Sequence, residues 1–179
     1  MVNFMFGESM WIIVIYAATV RILELALAER NRRALFQAGG REFGAEHYKF
    51  FFFLHFGWFC SWIIEGSLRG GLTEGWYLWL FGFFVAQLLK FWAIFTLGER
   101  WNTRIIVIPG RALIKKGPYR FLRHPNYLAV AAELFFVPMI FGAWVSALIF
   151  TVLNAGLLLG VRIPAEEKAM RIVFKMSKL

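Results

Sequence analysis

Apolar residues in this chain fall into long unbroken runs, not the one-sided stripes of a helix that faces water. Residues 10–28, 48–64 and 76–97 form three such runs. Each approaches the ~20 helical residues that cross ~30 Å of hydrocarbon, the second falling somewhat short. A fourth apolar stretch, 127–161, is too long for one span and slightly short for two spans with a turn. Pro138, Gly142 and Trp144 punctuate its middle, so two short helices are predicted, 127–141 and 143–161. The expected fold is all-α: a polytopic membrane protein with about five transmembrane helices, the last two a short helical hairpin.

Composition supports that class. Sixty per cent of residues are hydrophobic and 19% are aromatic, more than a water-soluble domain can bury. The 179 residues suit one domain spanning 1–179. No basic region and small-residue cleavage site open the chain, so the first apolar run is expected to be retained as a helix. Cys60 is the sole cysteine, which excludes an intrachain disulfide and a thiolate metal cluster, and it reads as a buried apolar residue. With no Asp and three scattered His, no metal-ligand spacing is present and no metal is expected.

Charge fixes an expected orientation. With five crossings and the N-terminus outside, 17 of the 20 Lys and Arg residues fall in the 29–49 loop, the 98–125 loop and the tail after residue 161. Only Arg69 falls on the far side, while Arg21 and Lys90 lie within spans. That asymmetry predicts an outside N-terminus, with the 98–125 loop and the C-terminus cytoplasmic. It also explains the net charge of +9 without nucleic acid. Membrane lipids, anionic ones in the inner leaflet above all, are the natural partners of these loops. The 37–44 loop, with three glycines, reads as a flexible turn. The 98–125 loop is long but rich in Ile, Val, Pro and aromatics, the mark of an ordered, functional connection.

Candidate chemistry gathers in two places. Residues 117–127 read GPYRFLRHPNY. Pro118 and Pro125 stiffen this string, and Pro125 suits the first position of a helix opening with Asn126 and Tyr127. Backbone N–H groups at such a start attract anions. His124 immediately precedes it, flanked by Tyr119 and Tyr127. A plain surface loop, with Arg for lipid phosphate and Tyr for the interface, needs no such ordered spacing. The second place is the tail, where Arg162 and Glu166, four apart, share a helical face. Pro164 is expected to start a helix there, with Glu166 and Glu167 in its first turn. Between the two places lies Glu133, two turns inside the hydrocarbon. It reads either as a functional group or as a structural partner for Lys90 or Arg21. Arg21 and Glu24 are placed to satisfy each other, His55 reads as a hydrogen-bonded core residue, and His47 sits at a membrane edge.

The strings LGERWNTRIIVIPG, GPYRFLRHPNYLAVAAE and RIPAEE, within residues 97–170, resemble the isoprenylcysteine carboxyl methyltransferase family. The likeness is greatest to its short bacterial branch, some members of which methylate lipidic polyketides such as alkylpyrones. The resemblance implies an S-adenosyl-L-methionine site at Tyr119, His124, Pro125, Asn126, Tyr127 and Glu166, with backbone from Arg111, Ala112, Leu113 and Ile114. It places Arg162 on the side of a lipophilic acceptor, whose carboxylate or hydroxyl receives the methyl group. A carboxylate needs no base, whereas a hydroxyl gives its proton to Glu167, Glu133 or His124. Pro164, between Arg162 and Glu166, raises the expectation of a kink. Two further readings stand beside this one. They are an NADPH-dependent lipid reductase of related membrane fold, and a non-catalytic transport or interaction subunit.

Overall fold

A computed structural model describes residues 2–176, with side chains from residue 10 to residue 173; Lys178 of the basic tail lies outside the described residues. The chain forms α1 (Val2–Gln37), β1 (Arg41–Phe43), α2 (Tyr48–Leu68), α3 (Trp76–Leu97), β2 (Ile105–Val107), α4 (Pro125–Ile140), α5 (Trp144–Leu157) and α6 (Ile163–Met176). Four helical stretches are long and apolar enough to cross a membrane: Met10–Gln37, Ala45–Leu68, Trp76–Arg100 and Trp144–Val173. The shorter apolar helix α4 is the fifth. The all-α polytopic membrane fold is thus as expected, and α4 and α5 form the hairpin, turning at Gly142.

Four features differ from the sequence pattern. First, α1 runs on to Gln37, nine residues beyond the expected end, and so carries Arg30, Arg32 and Arg33. The 37–44 segment is no simple flexible turn, because β1 pairs antiparallel with β2, with Glu42 opposite Ile106. Three-residue strands are too short for alternation to announce them. The second span runs on to Leu68, four residues beyond the expected end. The last helix is not short either: α5 passes through a π-helical segment, Leu158–Arg162, directly into α6. Pro164 explains that segment. Proline has no N–H to offer the carbonyl one turn back and its ring collides with it, so widening the preceding turn accommodates it without a break.

Side chains facing outward along the spans are large and apolar, as on Phe53 and Phe56 of α2, Phe84 and Phe95 of α3, and Ile149 and Val152 of α5. In water these would drive aggregation; in a bilayer they face acyl chains. Cys60 is exposed on the same outward surface of α2, correcting its reading as a buried residue. The interior is aromatic, with Trp62 stacked on Phe141 at 5.5 Å. Between α3 and α4, Gly82 is essential to contact: a Cβ there would sit 2.7 Å from the Phe136 ring.

Many polar groups within the bundle are paired, although Trp62 Nε1, Gln87 Oε1, Thr151 Oγ1 and both side-chain polar atoms of Asn154 are buried without a hydrogen-bond partner. Trp58 Nε1 donates to Leu134 O, tying α2 to α4. Ser146 Oγ gives its proton to Glu65 Oε2, so Ser61 must be the donor in the 2.7 Å contact between the two hydroxyls. Glu65 also accepts the backbone N–H groups of Val145 and Ser146, capping α5. Deeper in, Lys90 Nζ lies 2.6 Å from Glu24 and 2.5 Å from Glu133, and Arg21 completes the cluster on Glu24. His55 Nδ1 donates to Phe51 O, the hydrogen-bonded core role expected of it.

Candidate functional site

The ends of the bundle differ in kind. At one lie the tight turns joining α2 to α3 and α4 to α5, where Thr73 N donates to Ile140 O. The other gathers the C-terminal parts of α1 and α3, the strand pair, the start of α4 and α6. At that end an open cavity of about 600 Å³ is lined by Arg100–Ile108 (Thr103 excepted), Arg111–Lys115, Tyr119, Arg123–Tyr127 (Pro125 excepted) and, from the last helix, Arg162, Glu166, Glu167 and Met170. Sites for small organic ligands are typically ~300–1,000 Å³.

Specific bonds hold the walls. Asn31 Nδ2 on α1 donates to the carbonyls of Gly98 and Trp101, and Asn102 Nδ2 donates to Ala28 O. Arg104 forms a 2.6 Å ion pair with Glu42 and lies over the Tyr48 ring, fastening β2 to β1 and α2. Arg100 Nη1 donates to Ala112 O, drawing the 111–115 strip over the cavity. A 3₁₀ turn at Gly117–Arg120 then rests on α3. Gly117 has φ +53°, and a Cβ there would collide with Thr96 Oγ1 and Trp92 Nε1. Only glycine fits both the backbone and the space.

At the centre is a charged relay. Tyr127 has one phenolic proton and donates it to Glu166 Oε2 at 2.5 Å. Its oxygen accepts from Arg162 Nε at 3.1 Å. Arg162 Nη2 donates to Thr103 O, and the guanidinium stands 6.0 Å over the Phe51 ring. Arg162 is only 7% exposed and has no carboxylate in direct contact among the described residues; its nearest counter-charge acts through the phenol. The π-helical turn ends on this residue, and such turns recur at functional sites because they re-aim a side chain. Arg162 and Glu166 therefore reach the same cavity despite the expected kink at Pro164.

The start of α4 supplies the aromatic wall. His124 caps the helix, Pro125 takes its first position, and the His124 and Tyr127 rings stack at 5.2 Å with planes 6° apart. Asn126 Oδ1 accepts from Trp101 Nε1. Burial pushes the Tyr119 phenol above its ordinary value, and the Glu166 carboxylate adds to that. Tyr119 thus remains a protonated donor throughout the physiological range.

Most residues singled out from the sequence meet here: Arg111, Ala112, Leu113, Ile114, Tyr119, His124, Asn126, Tyr127, Arg162, Glu166 and Glu167. Two do not. Pro125 is buried behind the cavity wall, setting the helix start. Glu133 lies deeper, beside a separate cavity of about 40 Å³, and is bound to Lys90; of its two readings the structure favours the structural partner. Sequence reasoning missed the wall formed by Trp101, Arg104 and Ile105–Ile108. Its signal was the β-branched run at 105–108, whose partner strand across 62 residues of chain nothing local reveals.

The helical membrane fold thus defines an integral membrane protein with a cavity at one end of its bundle, where Tyr127 joins an arginine to a glutamate. The chain matches the model of the Isoprenylcysteine carboxyl methyltransferase (ICMT) family over residues 78–172, which takes in every residue of the relay. It belongs to that family. It is also 36% identical to the uncharacterized protein YpbQ of Bacillus subtilis over 162 residues, 90% of this chain and 96% of that one. An uncharacterized protein of Haemophilus influenzae is 28% identical over 162 residues, 88% of this chain and 92% of that one. No solved structure matches the chain.

Proposed function

We propose that this protein is an S-adenosyl-L-methionine-dependent methyltransferase acting on a carboxylate or hydroxyl of a lipophilic, isoprenoid or alkylpyrone-like acceptor. The observation that carries the reading is the Arg162–Tyr127–Glu166 relay at the wall of one cavity. The residues suit the cofactor's chemistry. Glu166 matches an ammonium, Arg111 and the α4 start match a carboxylate, and the aromatic faces of Tyr119 and Tyr127 favour a sulfonium. When bound, the cofactor supplies an electrophilic methyl group whose bonding electrons stay with sulfur on transfer. The chain's part is alignment and electrostatics. Arg162, buried and without a direct counter-ion among the described residues, holds an anionic acceptor oxygen. For a hydroxyl acceptor, Glu167 or His124 takes the proton, both being at the cavity, whereas Glu133 is not.

The cavity opens to the cytoplasm in this reading and the N-terminus lies outside. The clustering of the Lys- and Arg-rich connections at the cavity end supports that orientation. Binding tests the reading directly. Purified protein titrated with S-adenosylhomocysteine should bind it, and Glu166→Ala should weaken binding by more than tenfold, as loss of a charged hydrogen-bond partner costs ~1.5–3 kcal/mol. No binding of that ligand alongside clear binding of NADPH would move the assignment to a reductase.

A further inference from the structure

The stretch from Leu113 to Arg123 has an outer surface that methyl transfer does not use. Phe121 and Leu122 are exposed there, Phe121 by 75%, beside exposed Lys116 and Arg120, none of which lines the cavity. Neither of those two cations forms an ion pair among the described residues, and Arg120 lies 5.7 Å over the Phe121 ring. Contacts with α3 set the depth of this surface. Gly117 rests against Trp92 and Thr96, and Trp92 lies more than one turn before the helix ends at Leu97. Phe95 on the same stretch of α3 is 80% exposed and belongs to the outward apolar surface of a helix long and apolar enough to span a bilayer. The 3₁₀ turn therefore sits beside the bilayer boundary and not out in water, where exposed Phe121 would be a liability.

We propose that this segment is a wedge seated in an anionic lipid leaflet. Phe121 and Leu122 enter the acyl boundary while Lys116 and Arg120 hold lipid phosphates. Basic residues alternating with apolar ones at a bilayer surface bind in this way, through apolar burial and attraction to anionic headgroups together. The inner side of the same segment supplies Leu113, Ile114, Lys115, Tyr119 and Arg123 to the cavity wall, so leaflet charge also steadies that wall. This claim rests on the membrane fold and not on the proposed donor.

Two measurements test it without any methyl donor. In the first, the thermal midpoint of the full-length protein in detergent is followed with added phosphatidylglycerol, phosphatidylcholine or inorganic phosphate. Phosphatidylglycerol alone should raise it. Lys116→Gln with Arg120→Gln, both outside the cavity lining, should lower apparent lipid affinity about 25-fold, at roughly fivefold per cation. Lys116→Arg with Arg120→Lys should retain the response. An equal response to phosphatidylcholine, or an undiminished one in the Gln pair, overturns the proposal; a response to inorganic phosphate assigns the cations to a free anion and also overturns it. In the second, a fluorophore on Phe121→Cys in a Cys60→Ser background is read in phosphatidylglycerol nanodiscs. Quenching by lipids spin-labelled near the headgroup is expected; quenching by aqueous iodide alone would place the wedge in water and reject it.

Discussion

Arg162 offers the sharpest test of how the cavity works. Its guanidinium has five N–H donors, of which Nε is engaged by Tyr127 and one at Nη2 by Thr103 O, leaving three for a ligand. Replacing it with Ala removes the only buried cation among the described side chains of the last helix. Methyl transfer consumes the acceptor's negative charge, so Arg162 acts by positioning the anion. A charged hydrogen bond is worth ~1.5–3 kcal/mol, and turnover should fall roughly 10- to 10²-fold. S-adenosylhomocysteine affinity should stay within about threefold, because Glu166 and the α4 start remain. Stability falls as well, by ~1–3 kcal/mol, since Thr103 O loses its donor. Stability alone therefore cannot discriminate, and Arg162→Lys is the decisive variant. An ammonium cannot keep both bonds and still present a fork, so it should rescue little. Kinetics, ligand affinity and thermal midpoints on the three proteins decide the matter. Full turnover in the Lys variant would show that Arg162 merely anchors the helix end, and the reasoning from its unpaired charge would be refuted.

Three other outcomes follow from the geometry. Lys90→Met leaves Glu24 and Glu133 facing each other without their shared cation and should cost ~3–5 kcal/mol; adding Glu133→Gln should recover much of it, and a single variant as stable as the parent would disprove the ion cluster. Gly117→Ala should loosen the 3₁₀ turn from α3 and lower S-adenosylhomocysteine affinity, checked by titration; unchanged affinity would mean that the turn does not hold the wall. Arg111→Cys in a Cys60→Ser background should be labelled only from the cytoplasmic side of sealed vesicles, and labelling from outside would reverse the orientation and the route to the cavity.

Uninterrupted apolar runs made the spans legible in the sequence, because hydrocarbon imposes length and uniformity together. The start of α4 was equally legible, since Pro125 can open a helix but hardly continue one. Other features were not. Pairing β1 with β2 depends on contacts between residues 41–43 and 105–107, which no local pattern encodes. Glu133 carried a true signal, an ionisable group in the membrane, but only the position of Lys90 on α3 shows that the charge is already matched. The cap on α5 provided by Glu65 had no sequence signature, because it comes from a neighbouring helix and not from the residue before Trp144.

The π-helical turn at Leu158–Arg162 makes local winding a quantity the protein must keep. A π-turn fits about one residue more than an α-turn, and an α-helix advances ~100° per residue. Reverting this segment to regular winding at unchanged length would therefore swing Glu166 about a quarter turn off the cavity, whereas one deletion within it would be absorbed. The segment that carries Glu166 is thus geared to the spanning helix. Chimeras that exchange tails between relatives will need the extra residue and the π-turn together, or neither. For the same reason, substitutions that favour ordinary α-winding just before Arg162 act on the cavity from within the bilayer, without touching it.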